Sequence, residues 1–207
     1  MLAQPGTGGS GRLGGRAACR AGTAGTFQAR IVTCLRHWPC RTRYATRHGM
    51  SATDTPPLIA VLNGPNMNML GLRQPKLYGS ATLDDVEQLC AETAEVLGLA
   101  IDFRQTNGEG ELVSWVQECR GRADGIIINP AGYTTTSIAL MDALLASELP
   151  VIEVHVTNIH RREEFRHHSY VSKVAVGVIA GLGVRGYALA LQAMAELLEV
   201  DREGAAA

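Results

Sequence analysis

Lysine is nearly missing from this 207-residue chain. Only Lys76 and Lys173 are present, and neither sits in an apolar run that would depress its pKa, which argues against Schiff-base chemistry. No acidic residue precedes Asp54. A Walker loop and a GxSxG elbow are absent, so phosphate-loop and serine-hydrolase readings have no motif to stand on. No apolar run approaches the roughly 20 residues of a membrane span. Of five cysteines, three lie before residue 50, and none stands at metal-like or disulfide-framework spacing. Cys90 and Cys119 fall on apolar helical positions and read as reduced core packing in a cytosolic-type compartment.

What is present divides into two unlike pieces. Residues 1–49 hold eight arginines and no Asp, Glu or Lys. Removing those eight from the 19 basic residues leaves 11 against 20 acids, about −9, so the near-neutral total adds two opposite charges. The first piece is rich in Gly, Ala and Thr and cannot bury a core. Three readings compete for it: translation from a start placed upstream of Met50, an organelle transit peptide, or a basic arm for nucleic acid. Arginines without Lys or an aromatic platform make the last the weakest. The expected organisation is an Arg-rich disordered extension, 1–49, before one domain, 50–207, of ordinary size.

Apolar runs alternate with helical patterns through that domain. Strands are predicted at Leu58–Leu62, Leu99–Arg104, Gly125–Ile128, Pro150–Val154 and Val174–Ile179. The continuous run Ile126-Ile127-Ile128 is what a sheet covered on both faces requires. A helix opens after Thr82 as N-cap, with Leu83, Val86, Leu89, Cys90, Thr93, Ala94 and Leu97 on its apolar face and Gly98 placed to stop it. Further helices are predicted over 111–120, 137–147 and 184–198. Five strands alternating with helices argue an α/β fold: a single-domain, flavodoxin-like, doubly wound parallel sheet of five strands. In such sheets ligands sit beyond the carboxyl ends of the strands. The twenty residues there, 63–66, 105–107, 129–137 and 155–158, hold twelve of the 27 Ser, Thr, Asn and Gln side chains of the domain. Ordinary turn formation explains each segment singly.

Asn63 to Gly79 is a loop of seventeen residues that contains Met67, Met69, Leu70, Leu72 and Leu77, too apolar for a solvated linker. It reads as a lid, with Arg73 five residues before Tyr78. A free phenol has a pKa near 10; lowering it by about two units needs roughly 3 kcal/mol, within reach of one close guanidinium. Tyr78 is then a base, or else a packed aromatic that anchors the loop. His155 stands at a strand mouth two residues after Glu153, so the two side chains share a face. Glu153 can set the imidazole tautomer and support its protonated form, as a general acid needs. A metal held by His155, His160, His167 and His168 fits no tetrahedral template and is opposed by Arg161, Arg162 and Arg166. Those arginines suit an anionic substrate or pairs with Glu163 and Glu164, and on a helix Arg162–Arg166 and Glu163–His167 are neighbours one turn apart.

The segments NGPNMNMLGLRQPKLYG, RQTNGEGELVSW, INPAGYTTTSIALMDAL and EVHVTNIHRREEFRHHSY, with GLGVRGYALAL after them, closely resemble the type II 3-dehydroquinate dehydratases from about Leu58 to Leu198. The resemblance implies reversible dehydration of 3-dehydroquinate to 3-dehydroshikimate by anti elimination through an enolate, with no cofactor and no metal. It implies that Tyr78 is the base, Arg73 its pKa-lowering partner, Asn66 an enolate stabiliser acting through a water, and His155 the acid. Asn129, the backbone of Val156 and Thr157, and Arg166 would hold the substrate. Asp142 would enter a neighbouring subunit's site. A homododecamer of four trimers is implied as the partner state, with no nucleic acid and no membrane, in the cytoplasm unless residues 1–49 are a genuine import leader. The reaction serves aromatic amino acid biosynthesis (the shikimate pathway) or quinate breakdown.

The chain departs from the family pattern at one place: Thr135 stands where a substrate-contacting His is expected. A hydroxyl has less reach and carries no charge, so a loss of about 1 kcal/mol in substrate binding is expected, with the reaction type retained. The alternative of a different class is a non-catalytic flavodoxin-like module that binds a small anion or nucleotide.

Overall fold

The computed structural model describes residues 55–72 and 80–205, with side chains described through residue 199. The expectations for residues 1–49, and those for Arg73 and Tyr78, lie outside the described residues.

Five strands form one parallel sheet: β1 (Leu58–Asn63), β2 (Ala100–Gln105), β3 (Gly125–Asn129), β4 (Val151–His155) and β5 (Gly177–Ala180). Their order is β2-β1-β3-β4-β5, the flavodoxin-like order, with its reversal between β1 and β3. Among the described residues three α-helices connect the first four strands, α1 (Leu83–Leu97), α2 (Glu109–Cys119) and α3 (Ile138–Ser147), and α4 (Arg185–Ala205) follows β5. Single 3-10 turns occupy Met67–Met69, Ala131–Thr135, Ile159–Arg161, Glu164–Arg166 and Val171–Lys173.

The alternation of side chains along each strand builds two cores. Ile59, Val61, Ile127, Ile152 and Val154 pack under α1 and α4 with Val86, Cys90, Tyr187, Leu191 and Met194. Ala60, Leu62, Ile126, Ile128 and Val151 pack under α2 and α3 with Leu112, Val116, Leu140 and Leu144. Each fully buried Leu, Ile or Val contributes roughly 1.5–3 kcal/mol, so both faces are needed to offset the ordering of the chain. Burial pushes the Cys90 thiol up to about 12, helped by the nearby Glu87, and raises that of Cys119. Both are free, buried cysteines.

The helix ends follow the local code. Thr82 accepts from the Asp85 amide while the Asp85 carboxylate accepts from the Thr82 amide at 2.7 Å, a reciprocal capping box. Gly98 ends α1 at φ 68, and the Ser137 hydroxyl caps α3 by accepting from the Leu140 amide at 2.9 Å. β2, an edge strand, is half-buried throughout and carries the Asp102–Arg104 ion pair, charge that discourages further pairing.

Two expectations are corrected. β5 begins at Gly177 rather than Val174, because the amides of Val174 and Ala175 close a turn on the Val171 carbonyl, each at 3.0 Å. The His- and Arg-rich run is not one helix. It forms two 3-10 turns separated at Arg162–Glu163, so Arg166 meets Glu163 at a spacing of three residues, 2.9 Å apart. Trp115 packs half-buried against the core under α2 and α3, with the Arg104 guanidinium 5.5 Å from its ring centre.

Candidate active site

A cavity of about 200 Å³ opens at the carboxyl ends of β1, β3 and β4, beside the point where the strand order reverses. Asn66, Met67 and Met69 line it from the segment after β1, and Asn129, Thr134 and Thr135 from the end of β3 and its turn. His155, Val156 and Thr157 come from the end of β4, and Arg162 and Arg166 from the two 3-10 turns beyond it.

Glu153 and His155 share the face of β4 turned away from Val154, and both are buried. His155 Nε2 lies 2.8 Å from Glu153 Oε1. A carboxylate only accepts, so the proton of that bond belongs to Nε2, and Nδ1 is the ring nitrogen available to a ligand. Glu153 also accepts from the hydroxyls of Thr134, of Ser169 at 2.9 Å (Oε1) and 3.1 Å (Oε2), and of Ser172 at 2.5 Å. Burial pushes the Glu153 carboxyl up, but the bonds from His155, Ser172 and Thr134 together outweigh it and hold the group below the usual carboxylate range.

The opposite wall is braced from beneath. Tyr187 of α4, fully buried, donates to Asn63 Oδ1 at 2.6 Å and accepts from Asn129 Nδ2 at 3.0 Å. Burial pushes its phenol pKa up, so it remains a neutral donor. Asn129 Nδ2 also faces the Met67 sulfur at 3.4 Å, and its Oδ1 accepts from the Ala131 amide at 3.2 Å. Gly64 donates its amide to the Asn129 carbonyl at 2.8 Å, and a Cβ there would lie 2.6 Å from the Pro130 carbonyl oxygen. Only glycine lets the ends of β1 and β3 approach this closely. Asn66 adopts a left-handed backbone, φ 66, with its amide bonded to Asn107 Oδ1 at 2.8 Å. At the rim, Glu163 lies 2.9 Å from Arg166 and 3.4 Å from Arg162, gathering two guanidiniums beside the cavity.

A family model described as dehydroquinase class II matches residues 57–195, most of the chain. The chain belongs to the class II dehydroquinase family. It is 62% identical over 143 residues to the 3-dehydroquinate dehydratase 2 of Pseudomonas putida, covering 69% of this chain and 96% of that one. It is 60% identical over 148 residues to the 3-dehydroquinate dehydratase of Streptomyces avermitilis, covering 71% and 93%. Among solved structures, the type II dehydroquinase of Propionibacterium acnes superposes with a TM-score of 0.67 at 44% identity, covering 70% of this chain and 99% of that one. That of Butyrivibrio crossotus gives 0.66 at 37%, covering 68% and 99%.

Within this class II dehydroquinase fold, seven of the residues singled out in the sequence line one cavity: Asn66, Asn129, Thr135, His155, Val156, Thr157 and Arg166. Glu153 lies behind His155. Asp142 does not join them; it is exposed on α3. The Thr135 hydroxyl donates to the Gly132 carbonyl at 3.1 Å. The other described histidines stand apart: the His160 and His167 rings are 5.8 Å apart, and His168 packs edge-on against Tyr170. Among the described residues no group of three or more His, Cys, Asp or Glu side chains is arranged to hold a metal ion.

Arg162, one of the three arginines that suit an anionic substrate, lines the cavity with its side chain 14% exposed. The sequence reading missed Thr134, Ser169, Ser172 and Tyr187. The hydroxyl residues carry no sequence signal of their own, because what marks them is convergence on one buried carboxylate.

Proposed function

We propose that this chain is a 3-dehydroquinate dehydratase, a hydro-lyase that interconverts 3-dehydroquinate and 3-dehydroshikimate. The observation that carries the reading is His155, set in the wall of the strand-end cavity and backed by the buried Glu153, in a chain of the class II family. Tyr78 removes the carbon-bound proton as its phenolate, kept ionised by Arg73. The electron pair passes into an enolate that Asn66 stabilises through a water. The enolate then expels the hydroxyl on the opposite face, and His155 gives it a proton, so that water leaves. Arg166 binds the substrate carboxylate. Asn129, Thr135 and the backbone of Val156 and Thr157 hold its hydroxyls. The site residues call for no cofactor and no metal in this scheme.

The proposal extends to self-association as a homododecamer of four trimers, with Asp142 reaching a neighbouring subunit's site. Ile138 and Leu145, on the same stripe of α3 as Asp142, are 52% and 58% exposed, as a face that meets another copy would be. We place the enzyme in the cytoplasm, with import if residues 1–49 are a leader. Among the described residues no helix is long and apolar enough to cross a membrane. The step belongs to the shikimate route to aromatic amino acids, and quinate breakdown uses the same conversion.

The test is ultraviolet absorbance of the conjugated enone product when purified protein meets 3-dehydroquinate. Growth of that band at a rate proportional to protein supports the reading. Binding of a quinate-like ligand without turnover would favour the non-catalytic module instead.

A further inference from the structure

Among the described residues Glu153 is the only fully buried carboxylate, and it is crowded with donors. Oε1 receives His155 Nε2, Thr134 and Ser169; Oε2 receives Ser169 and Ser172. A carboxylate offers about four lone-pair positions, so the set is full. The hydroxyls are themselves held: Ser169 Oγ accepts from the Ser172 amide at 2.8 Å and lies 2.9 Å from Thr134 Oγ1. The Tyr170 amide donates to the Thr134 carbonyl at 2.8 Å, joining the turn after β3 to the segment before β5.

We propose that Thr134, Ser169 and Ser172 are positioning residues for the acid–base step: their hydroxyls set how tightly the Glu153–His155 pair holds its proton. This rests on the reading of His155 as the acid. Each hydroxyl that donates to Glu153 draws charge from the carboxylate and competes with Nε2 for it. A carboxylate with His155 as its sole donor would grip the imidazolium, an acid that releases poorly. Three hydroxyls loosen that grip while keeping the ring fixed. The proton affinity of each group depends on the charge of the other.

Few other charges face the pair. Arg162 and Arg166 line the same cavity, and Arg73 and Tyr78 belong to the proposed site. The neighbouring strands present Ile128 and Val178 beside Glu153, and Ala180 beside His155. On the turn after β3, Tyr133 is bonded to the Asn107 carbonyl, and α4 packs on the opposite face of the sheet, against Ile152 and Val154. Beyond Ser172, Lys173 lies 5.2 Å over the Tyr170 ring, and His168 packs on that ring's edge. All of these persist when a hydroxyl is removed, so they set the absolute titration point and cancel from the difference between variants.

The experiment compares wild-type protein with Ser172→Ala, Thr134→Val and Thr134→Ser. It follows the ring-nitrogen shifts of His155 against pH in isotope-labelled protein, with the signal assigned by its loss in His155→Gln. Deleting one hydroxyl should move the pair's titration upward by about half a unit or more, a factor of roughly three in proton affinity. Thr134→Ser should restore the wild-type position. In turnover, kcat should fall in the two deletion variants while KM changes less than about twofold. Thermal melts verify folding, and if one deletion variant does not fold, Ser169→Ala reads the same quantity. A titration unmoved in folded variants overturns the inference, because a merely structural hydroxyl would leave it in place. Wild-type protein that titrates as described but never dehydrates 3-dehydroquinate would overturn the functional reading and leave the hydroxyl effect standing.

Discussion

Replacing Glu153 by Gln tests the charge at the bottom of the site while keeping its shape. The carboxylate holds bonds from His155, Ser169 and Ser172 at 2.5 to 3.1 Å and another from Thr134. Hydrogen bonds to a charged acceptor contribute about 1.5–3 kcal/mol each, against about 0.5–1.5 for neutral ones, so neutralising the acceptor forfeits about 1 kcal/mol per bond. Relief of the cost of burying a charge returns part of that. The net expectation is a loss of about 1–3 kcal/mol near neutral pH, or a fall in Tm of roughly 3–10 °C for a domain of this size. The pH dependence gives a sharper reading. The folded protein holds the Glu153 carboxyl below its ordinary value of about 4.3. Its contribution is therefore complete above that value and disappears as pH falls through the lower folded one. Urea unfolding of both proteins from neutral pH down to about pH 3 should show the gap between them closing below about pH 4. A gap that stays constant over this range, or no gap at any pH, would refute the charged-network argument.

Three further outcomes are expected. Gly64→Ala pushes the Pro130 carbonyl away from the end of β1, and should cost about 1–3 kcal/mol in thermal unfolding and weaken ligand binding as well, since the cavity walls separate. Ala131 adopts φ 49, a left-handed backbone that costs a side-chain-bearing residue about 1 kcal/mol. Ala131→Gly should therefore leave stability equal or raise it by up to about 1 kcal/mol in a thermal melt, and a clear loss would contradict that backbone conformation. Thr135→His restores a longer polar side chain facing the cavity; KM for 3-dehydroquinate should fall about fivefold, as about 1 kcal/mol implies, with kcat little changed.

The fold was legible because its signals are local. Ile126–Ile128 reads as a two-sided strand wherever it occurs, and Thr82, Gly98 and Ser137 cap helices through bonds spanning five residues or fewer. The pairing of Glu153 with His155 was legible too, since strand geometry alone puts alternate residues on one face. The misses are of another kind. Val174 and Ala175 have strand-forming composition, but a turn on Val171 claims their amides. The charge run 159–168 satisfies a helical spacing that tertiary contacts around the cavity override in favour of two 3-10 turns. Tyr187 is separated by 124 residues from Asn63, whose side chain it holds, and no spacing rule reaches that far. The family resemblance, by contrast, rests on four long segments in order, which is why the roles of the site residues could be assigned from the sequence at all.

The claim at the centre is that a tyrosinate removes a proton from carbon while an imidazole across the cavity releases water. Its most direct test is the rate of enone formation by Tyr78→Phe in protein that melts like wild type and still binds a quinate-like ligand. The account predicts that kcat falls by at least about a thousandfold, since the general base is removed and its partners are untouched. A rate within a few fold of wild type would contradict it.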